Sequence, residues 1–547
     1  MNAKSIWVLL IITIFQTLQV QADNYPKNSG IDILNYTFNL TLSDETDEIS
    51  MTEVIDVLYK TEGINKIRLD LTSKNSEGKG MTVEKVLQGD QEVNYTHESN
   101  ELFIFTSNPS KSNQLASITV VYTGIPMAGL RIGPNKYGDR GFFSGNWPDK
   151  ARNWLAVVDH PYEKATCDFV VTAPSKYSII SNGLKKEESI IGTSVKKTHW
   201  KQSVPISSWL YVLGASEFAI QYLDTFEGKS IESWVYKQDR DIGFDKLSFP
   251  VKESMEFFSD YIGPYSYEKM ASIMSPSVGG AMETASAVFY TEKSYDESRS
   301  FWLRNAIAHE IAHHWFGNAV TEYDWDDAWL SEGLTTYFTL AFREHAFGYD
   351  DYISGLIEAR KRTIDFYSKQ PDYQIVDNNY EKYDGSPTSG ATYQKGAWVM
   401  HMLKNKVGKE NFKKGIRSYY KRFRNSTAVT KDFVNEMERA SNIDLDPFFN
   451  QWLFQGGIPE LKLDWVYNAK KKVVNMTIEQ TQSSKYIYPE LAIEVEILGG
   501  NKLSKQVTIE LNDRKQKISI PFDTTPNDII IDPQTNLLAK WDTTVNK

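Results

Sequence analysis

Two histidines one helical turn apart, with a glutamate beside the first, constrain this chain more than any other feature. The stretch reads Trp302-Leu-Arg-Asn-Ala-Ile-Ala-His309-Glu310-Ile-Ala-His313-His314-Trp-Phe-Gly-Asn. Apolar residues at helical spacing and good helix formers around His309 predict an α-helix. On a helix, residues four apart stand about 6 Å from each other along the axis and point the same way. His309 and His313 can therefore share one ion, and two neutral imidazoles suit zinc. Glu310 leaves the helix beside them, placed to hold a water without binding the metal. That is the two-ligands-plus-base logic of H-E-x-x-H.

Two ligands leave a catalytic zinc site incomplete, because such sites take three protein ligands and a water. Glu332 is the candidate third. It follows His313 after eighteen intervening residues, inside a second apolar run from Ala328 to Ala346 that also reads as a helix. The chain is thus expected to pack two helices so that a carboxylate from one meets two imidazoles of the other. The bland alternative is an amphipathic helix with a solvated His/Glu face. Glu332 at this spacing weighs against it.

Further motifs flank this core. Upstream lies Gly279-Gly280-Ala281-Met282-Glu283-Thr284, and downstream Thr392-Tyr393-Gln394-Lys395-Gly396-Ala397. Together with His309-Glu310-x-x-His313 and Glu332, they resemble the M1 family of zinc metallopeptidases, the aminopeptidase N and leukotriene-hydrolase group. The resemblance implies one zinc per chain at His309, His313 and Glu332, with Glu310 as general base. It implies Tyr393 as the donor that stabilises the oxyanion. It makes Gly280, Ala281, Met282 and Glu283 substrate-binding, with Glu283 pairing with the α-ammonium of a peptide. The segment from Ala151 to Thr166 is similar to the family's edge of the active site.

Three positions depart from the family pattern. Thr284 stands where Asn is common. Thr339 stands where an acid often supports a zinc histidine. The family's acidic or amide partner for the substrate amine falls near Asn146 and Trp147, neither of which supplies a charge. Larger members also carry a further helical domain after the point where this sequence stops, so a more open cleft is expected.

The first 22 residues read separately. Lys4 precedes an apolar run from Ile6 to Phe15, and a polar stretch ends Val20-Gln21-Ala22, the pattern of a cleavable signal peptide. Export to a secreted or periplasmic location is expected, with no transmembrane segment in the mature chain. The single cysteine, Cys167, allows no internal disulfide and sits in a strand-like run as a small core residue. A net charge of −11 argues against nucleic acid and anionic membrane as partners, and the resemblance implies peptide substrates. Sequons occur at Asn35, Asn39, Asn94, Asn425 and Asn475.

From residue 23 to about 223, alternating apolar residues and turn signals predict a β-rich N-terminal domain. Residues 224–456 turn mainly helical around a small sheet, the thermolysin-like catalytic arrangement that the family uses. Gly456-Gly457-Ile-Pro459 marks a boundary, and 457–547 read as a small C-terminal β-sandwich. The fold class is multidomain α+β. The function expected is an exported zinc-dependent aminopeptidase. A zinc endopeptidase on the same scaffold, or a non-catalytic peptide-binding domain, are the rival readings.

Overall fold

Alternation of apolar and polar residues builds the first third of the chain. In Ile31–Thr41 the buried side chains are Ile31 and Ile33, then Tyr36, Phe38 and Leu40. The parity changes at a bulge between Ile33 and Asn35, so both halves keep their apolar side on the core. This strand runs through the middle of an eight-stranded sheet. It is antiparallel to Ile49–Tyr59 and parallel to Ala165–Pro174. Cys167 lies opposite Tyr36 in that register and is buried. A four-stranded sheet that includes Arg140–Gly145 and Leu213–Ser216, and a three-stranded one that includes Lys66–Asp70, complete the region. The computed structural model describes residues 23–376 and 386–545, so the expected signal peptide lies outside the described residues.

A different sheet follows. Lys269–Ser275 is buried along its whole length and lies parallel to both Lys229–Tyr236 and Ala287–Thr291. Burial on both faces is why its interior, Met-Ala-Ser-Ile-Met, carries small or apolar residues on both sides rather than alternating with charged ones. The short strand Ala281–Met282 pairs with Ala287–Thr291 and forms the edge of the five-stranded sheet. At the opposite edge the sheet begins with the hairpin Phe218–Phe226 and Lys229–Tyr236.

Helices pack beside this sheet, among them Ser300–Ala312, Trp329–Phe347, Tyr349–Tyr367 and Gly390–Val407. The last starts five residues before the apolar pattern that begins at Lys395. Ser389 caps it by accepting from the Ala391 and Thr392 amides, and Thr392 accepts from the Ser389 amide in return. After residue 459 come two small antiparallel-rich sheets, one of four strands and one of three. They are fastened to the helices by Arg360, whose Nη1 lies 2.8 Å from Asp532 Oδ2. Among the described residues, no helix is long and apolar enough to cross a membrane.

Candidate active site

The helix Ser300–Ala312 ends just before His313, which keeps helical geometry as its C-cap and donates its amide to His309 O at 3.1 Å. The one-turn relation between the two imidazoles therefore survives the helix end. Their Nε2 atoms face each other at 3.1 Å. Glu332 Oε2 lies 3.4 Å from His309 Nε2 and 3.2 Å from His313 Nε2. It comes from the first turn of Trp329–Phe347.

These three distances match the edges of a tetrahedron around an ion with bonds of about 2.0–2.1 Å, which would be roughly 3.3 Å. The proton arrangement agrees. His313 Nδ1 faces the Phe316 carbonyl at 3.0 Å and so must carry a hydrogen, which leaves Nε2 to take either an ion or a second proton. His309 Nδ1 lies 3.3 Å from Thr339 Oγ1, which itself donates to the Thr335 carbonyl, so its free electron pair can accept from the imidazole. Glu332 Oε2 is buried without a hydrogen-bond donor. Two imidazole nitrogens and a carboxylate oxygen meeting in a buried space call for positive charge, as a proton or a metal ion. Thr339 thus supports His309 as a neutral acceptor where an acid would add charge.

Local electrostatics point the same way. Burial pushes the His313 imidazolium down, but the Glu283 and Glu332 carboxylates more than offset it and lift the group to about 10. Burial raises Glu332, yet His313 and His309 hold it down at about 2. Glu310 is raised well above the ordinary range by burial first and Glu283 second. His314, packed behind the pair, is pushed down to about 3 by burial and stays neutral.

The motif residues share one cavity of about 460 Å³, which Ala281, Glu283, His309, Glu310, Glu332 and Tyr393 help to line. Gly280 precedes the edge strand and its carbonyl accepts from the Thr291 amide at 2.8 Å. Ala281 and Met282 form that strand, and Glu283 follows it with Oε1 3.9 Å from His313 Nε2. Tyr393 donates its hydroxyl to Glu332 Oε1 at 2.6 Å. Burial, then Glu332, raise its phenol well above 10, so it keeps a proton to give.

Tyr393 reaches Glu332 because two helices touch at glycines. A Cβ on Gly396 would stand 2.7 Å from the Gly333 Cα, and one on Gly333 would stand 3.0 Å from the Gly396 Cα. Lys395 beside it is buried and donates to the Gly457 carbonyl at 3.0 Å, tying the helix to the C-terminal region. Gly396→Val is expected to push the two helices apart and to cost about 1–3 kcal/mol. Thermal unfolding with and without a chelator checks it: both the midpoint and the metal-dependent shift should fall.

Some residues that shape the site carry no motif of their own. Asn318 donates from Nδ2 to the Glu283 carbonyl at 2.6 Å. His314 accepts the Ser286 amide on Nε2 and donates from Nδ1 to the Glu310 carbonyl, each at 3.0 Å. The segment just after the His309 helix thereby holds the Glu283 turn at two points. Lys164 donates to the carbonyls of Asn318, Ala319 and Ser426, each at 3.0 Å. The histidine doublet was the one sequence signal for His314.

The departures have local explanations. The Thr284 hydroxyl donates to the Ala287 carbonyl and closes the turn after Glu283. Asn146 is spent on the core, donating to the Tyr211 carbonyl at 2.8 Å and accepting from Trp154 Nε1 at 3.0 Å. Trp147 packs edge-on against Trp209 and Trp325. Neither lines the cavity.

Comparison with known proteins fits this geometry. The mouse glutamyl aminopeptidase is 28% identical over 341 residues, covering 59% of this chain and 35% of its own length. The glutamyl aminopeptidase of Bitis rhinoceros is 31% identical over 332 residues, with 58% and 34% covered. Tricorn protease-interacting factor F2 of Thermoplasma volcanium is 29% identical over 349 residues, with 60% and 42% covered. The match thus takes in about a third of the length of the mouse relative. The Peptidase M1 N-terminal domain model matches residues 33–210, the strand-rich region, and the Peptidase family M1 domain model matches 250–452, the helices and the metal-ligand cluster. With both parts of one family's fold matched in order, and its motif residues gathered in a single cavity, this chain belongs to peptidase family M1.

Proposed function

We propose that this protein is an exported zinc aminopeptidase that removes N-terminal residues from peptides. The observation that carries this reading is the Glu283 carboxylate, 3.9 Å from a metal-ligand imidazole and in the same cavity. Zinc at His309, His313 and Glu332 would supply positive charge that polarises the peptide carbonyl and acidifies a water. Glu310 takes the proton of the attacking water and passes it to the leaving amine nitrogen. Glu283 holds the substrate α-ammonium through a charge-assisted bond, which sets cleavage one residue from the end. The edge strand at Ala281 offers backbone groups to an extended peptide. Tyr393, already a donor to Glu332, turns its hydroxyl to the oxygen that becomes negative. Export rests on the signal-peptide pattern of residues 1–22.

Without a second carboxylate at Asn146 or Trp147, the amine is held by Glu283, and free-amine substrates depend strongly on it. Glu283→Ala is expected to raise KM for a free-amine peptide about tenfold or more, the loss expected of a charge-assisted bond. Steady-state kinetics on a peptide amide and its N-acetylated twin test the reading. Wild type should cut only the free-amine form. Equal cleavage of the acetylated peptide would make the protein an endopeptidase with the same residues. Cleavage of neither would leave the peptide-binding rival.

A further inference from the structure

The edge strand Ala281–Met282 has one free side, and its surroundings give that side a direction. Glu283, Thr284, Ala285 and Ser286 are buried, whereas Val278, Gly279, Gly280 and Ala281 are half-buried or exposed. A peptide with its α-ammonium at Glu283 can therefore pair with this edge only by running antiparallel toward Ser277. Gly279 is not in the left-handed region, and a Cβ there would meet no atom within 4 Å. Neither conformation nor packing demands glycine, so its effect is to leave the path open to a ligand backbone.

At Ser277 the path meets a second cavity of about 450 Å³. Ser277 donates from Oγ to the Ser144 carbonyl at 2.7 Å, which fixes this end of the path to the N-terminal region. Lys79, Arg131 and Lys150 reach the cavity from three separate segments. Its acid, Asp47, is already matched by Arg140 at 2.6 Å. Arg131 donates to the Pro134 carbonyl at 3.2 Å, and none of the three cations has an acidic partner among the described residues. Three uncompensated positive charges in one recess stand out on a chain of net charge −11.

We propose that this recess binds a carboxylate on the departing part of the peptide substrate. Ser277 lies six residues before Glu283, and the chain bends at Ser277, Gly279 and Gly280, so the path is at most roughly 20 Å long. The carboxylate therefore belongs to a substrate residue no further than about the seventh from the N-terminus. It is an Asp or Glu side chain, or the C-terminus of a peptide of that length. The proposal rests on the aminopeptidase reading for the position of the α-ammonium.

Calorimetric titration of the zinc-loaded Glu310→Gln protein with uncleaved peptides tests it. Octapeptide amides carry Glu or Gln singly at positions three to seven. A Gln-only hexapeptide is compared as free acid and as amide, which separates the two sources of carboxylate. Glu at one or more of positions three to seven, or the free acid, should bind about five- to tenfold more tightly, as three exposed charges acting together allow. The ratio should fall to about one in the variant that adds Lys79→Gln, Arg131→Gln and Lys150→Gln. Should that variant not fold, the ratio should instead shrink in about 0.5 M salt, where exposed charges are screened. No Glu/Gln difference at any position, or one that survives both the substitutions and salt, overturns the recess. N-acetylated twins report on the other reading: binding unweakened by acetylation would refute amine anchoring, while a position-dependent Glu preference would still uphold the recess.

Discussion

Exchange of Glu310 for glutamine is expected to lower kcat about a hundred- to ten-thousandfold while zinc stays at one per chain. Glutamine has nearly the shape of glutamate, so the buried cavity wall is kept. The amide cannot accept the proton of a water, and among the described residues no other base is placed to replace it. Glu283 faces His313 and is proposed to hold the substrate amine, and Glu332 faces both imidazoles. His314 holds its nitrogens on the Ser286 amide and the Glu310 carbonyl. KM should move far less than kcat, because proton transfer contributes in the transition state rather than to ground-state binding. Metal analysis beside steady-state kinetics decides it. Near-wild-type turnover with full zinc would remove Glu310 from the mechanism.

The convergence of His309, His313 and Glu332 was legible because its geometry is local. His309 and His313 need only one turn of helix, and Glu332 needs one packed neighbour. Other parts depend on contacts between segments far apart in sequence. Nothing in Lys395-Gly396 alone says that Gly396 must meet Gly333, yet that contact is what lets Tyr393 reach Glu332. Asn318 looks like any polar residue after a helix until its amide is seen on the Glu283 carbonyl.

The fold shows the same division. Alternation marks Ile31–Thr41 in the sequence, and the switch of parity at Asn35 becomes clear only as a bulge against Ile49–Tyr59. The hairpin Phe218–Phe226 and Lys229–Tyr236 alternates like the strands before it. Its pairing with the wholly buried Lys269–Ser275 puts it in the sheet that carries the Ala281–Met282 edge. Short-range pattern defines an element, and long-range pairing decides which sheet receives it.

His313→Ala is expected to abolish both bound zinc and activity. Of the two histidine ligands, His313 is the more enclosed, with 1% of its side chain exposed against 19% for His309. Its Nδ1 is oriented by the Phe316 carbonyl, with the Ser331 and Thr335 hydroxyls at 3.3 and 3.2 Å. Alanine leaves His309 and Glu332 as the remaining pair, one short of the three protein ligands that a catalytic zinc site takes. It also leaves Glu283, Glu310 and Glu332 without their nearest positive charge, so the apoprotein should lose stability beyond the missing ring contacts. Wild type gains stability from zinc by mass action, about 2.7 kcal/mol at a free concentration a hundred times its Kd. A chelator should therefore lower the wild-type Tm and leave the variant's Tm unchanged. Elemental analysis and the two melting curves test the assignment together. Full zinc occupancy in His313→Ala, with a chelator-sensitive Tm, would show that the ion is held elsewhere.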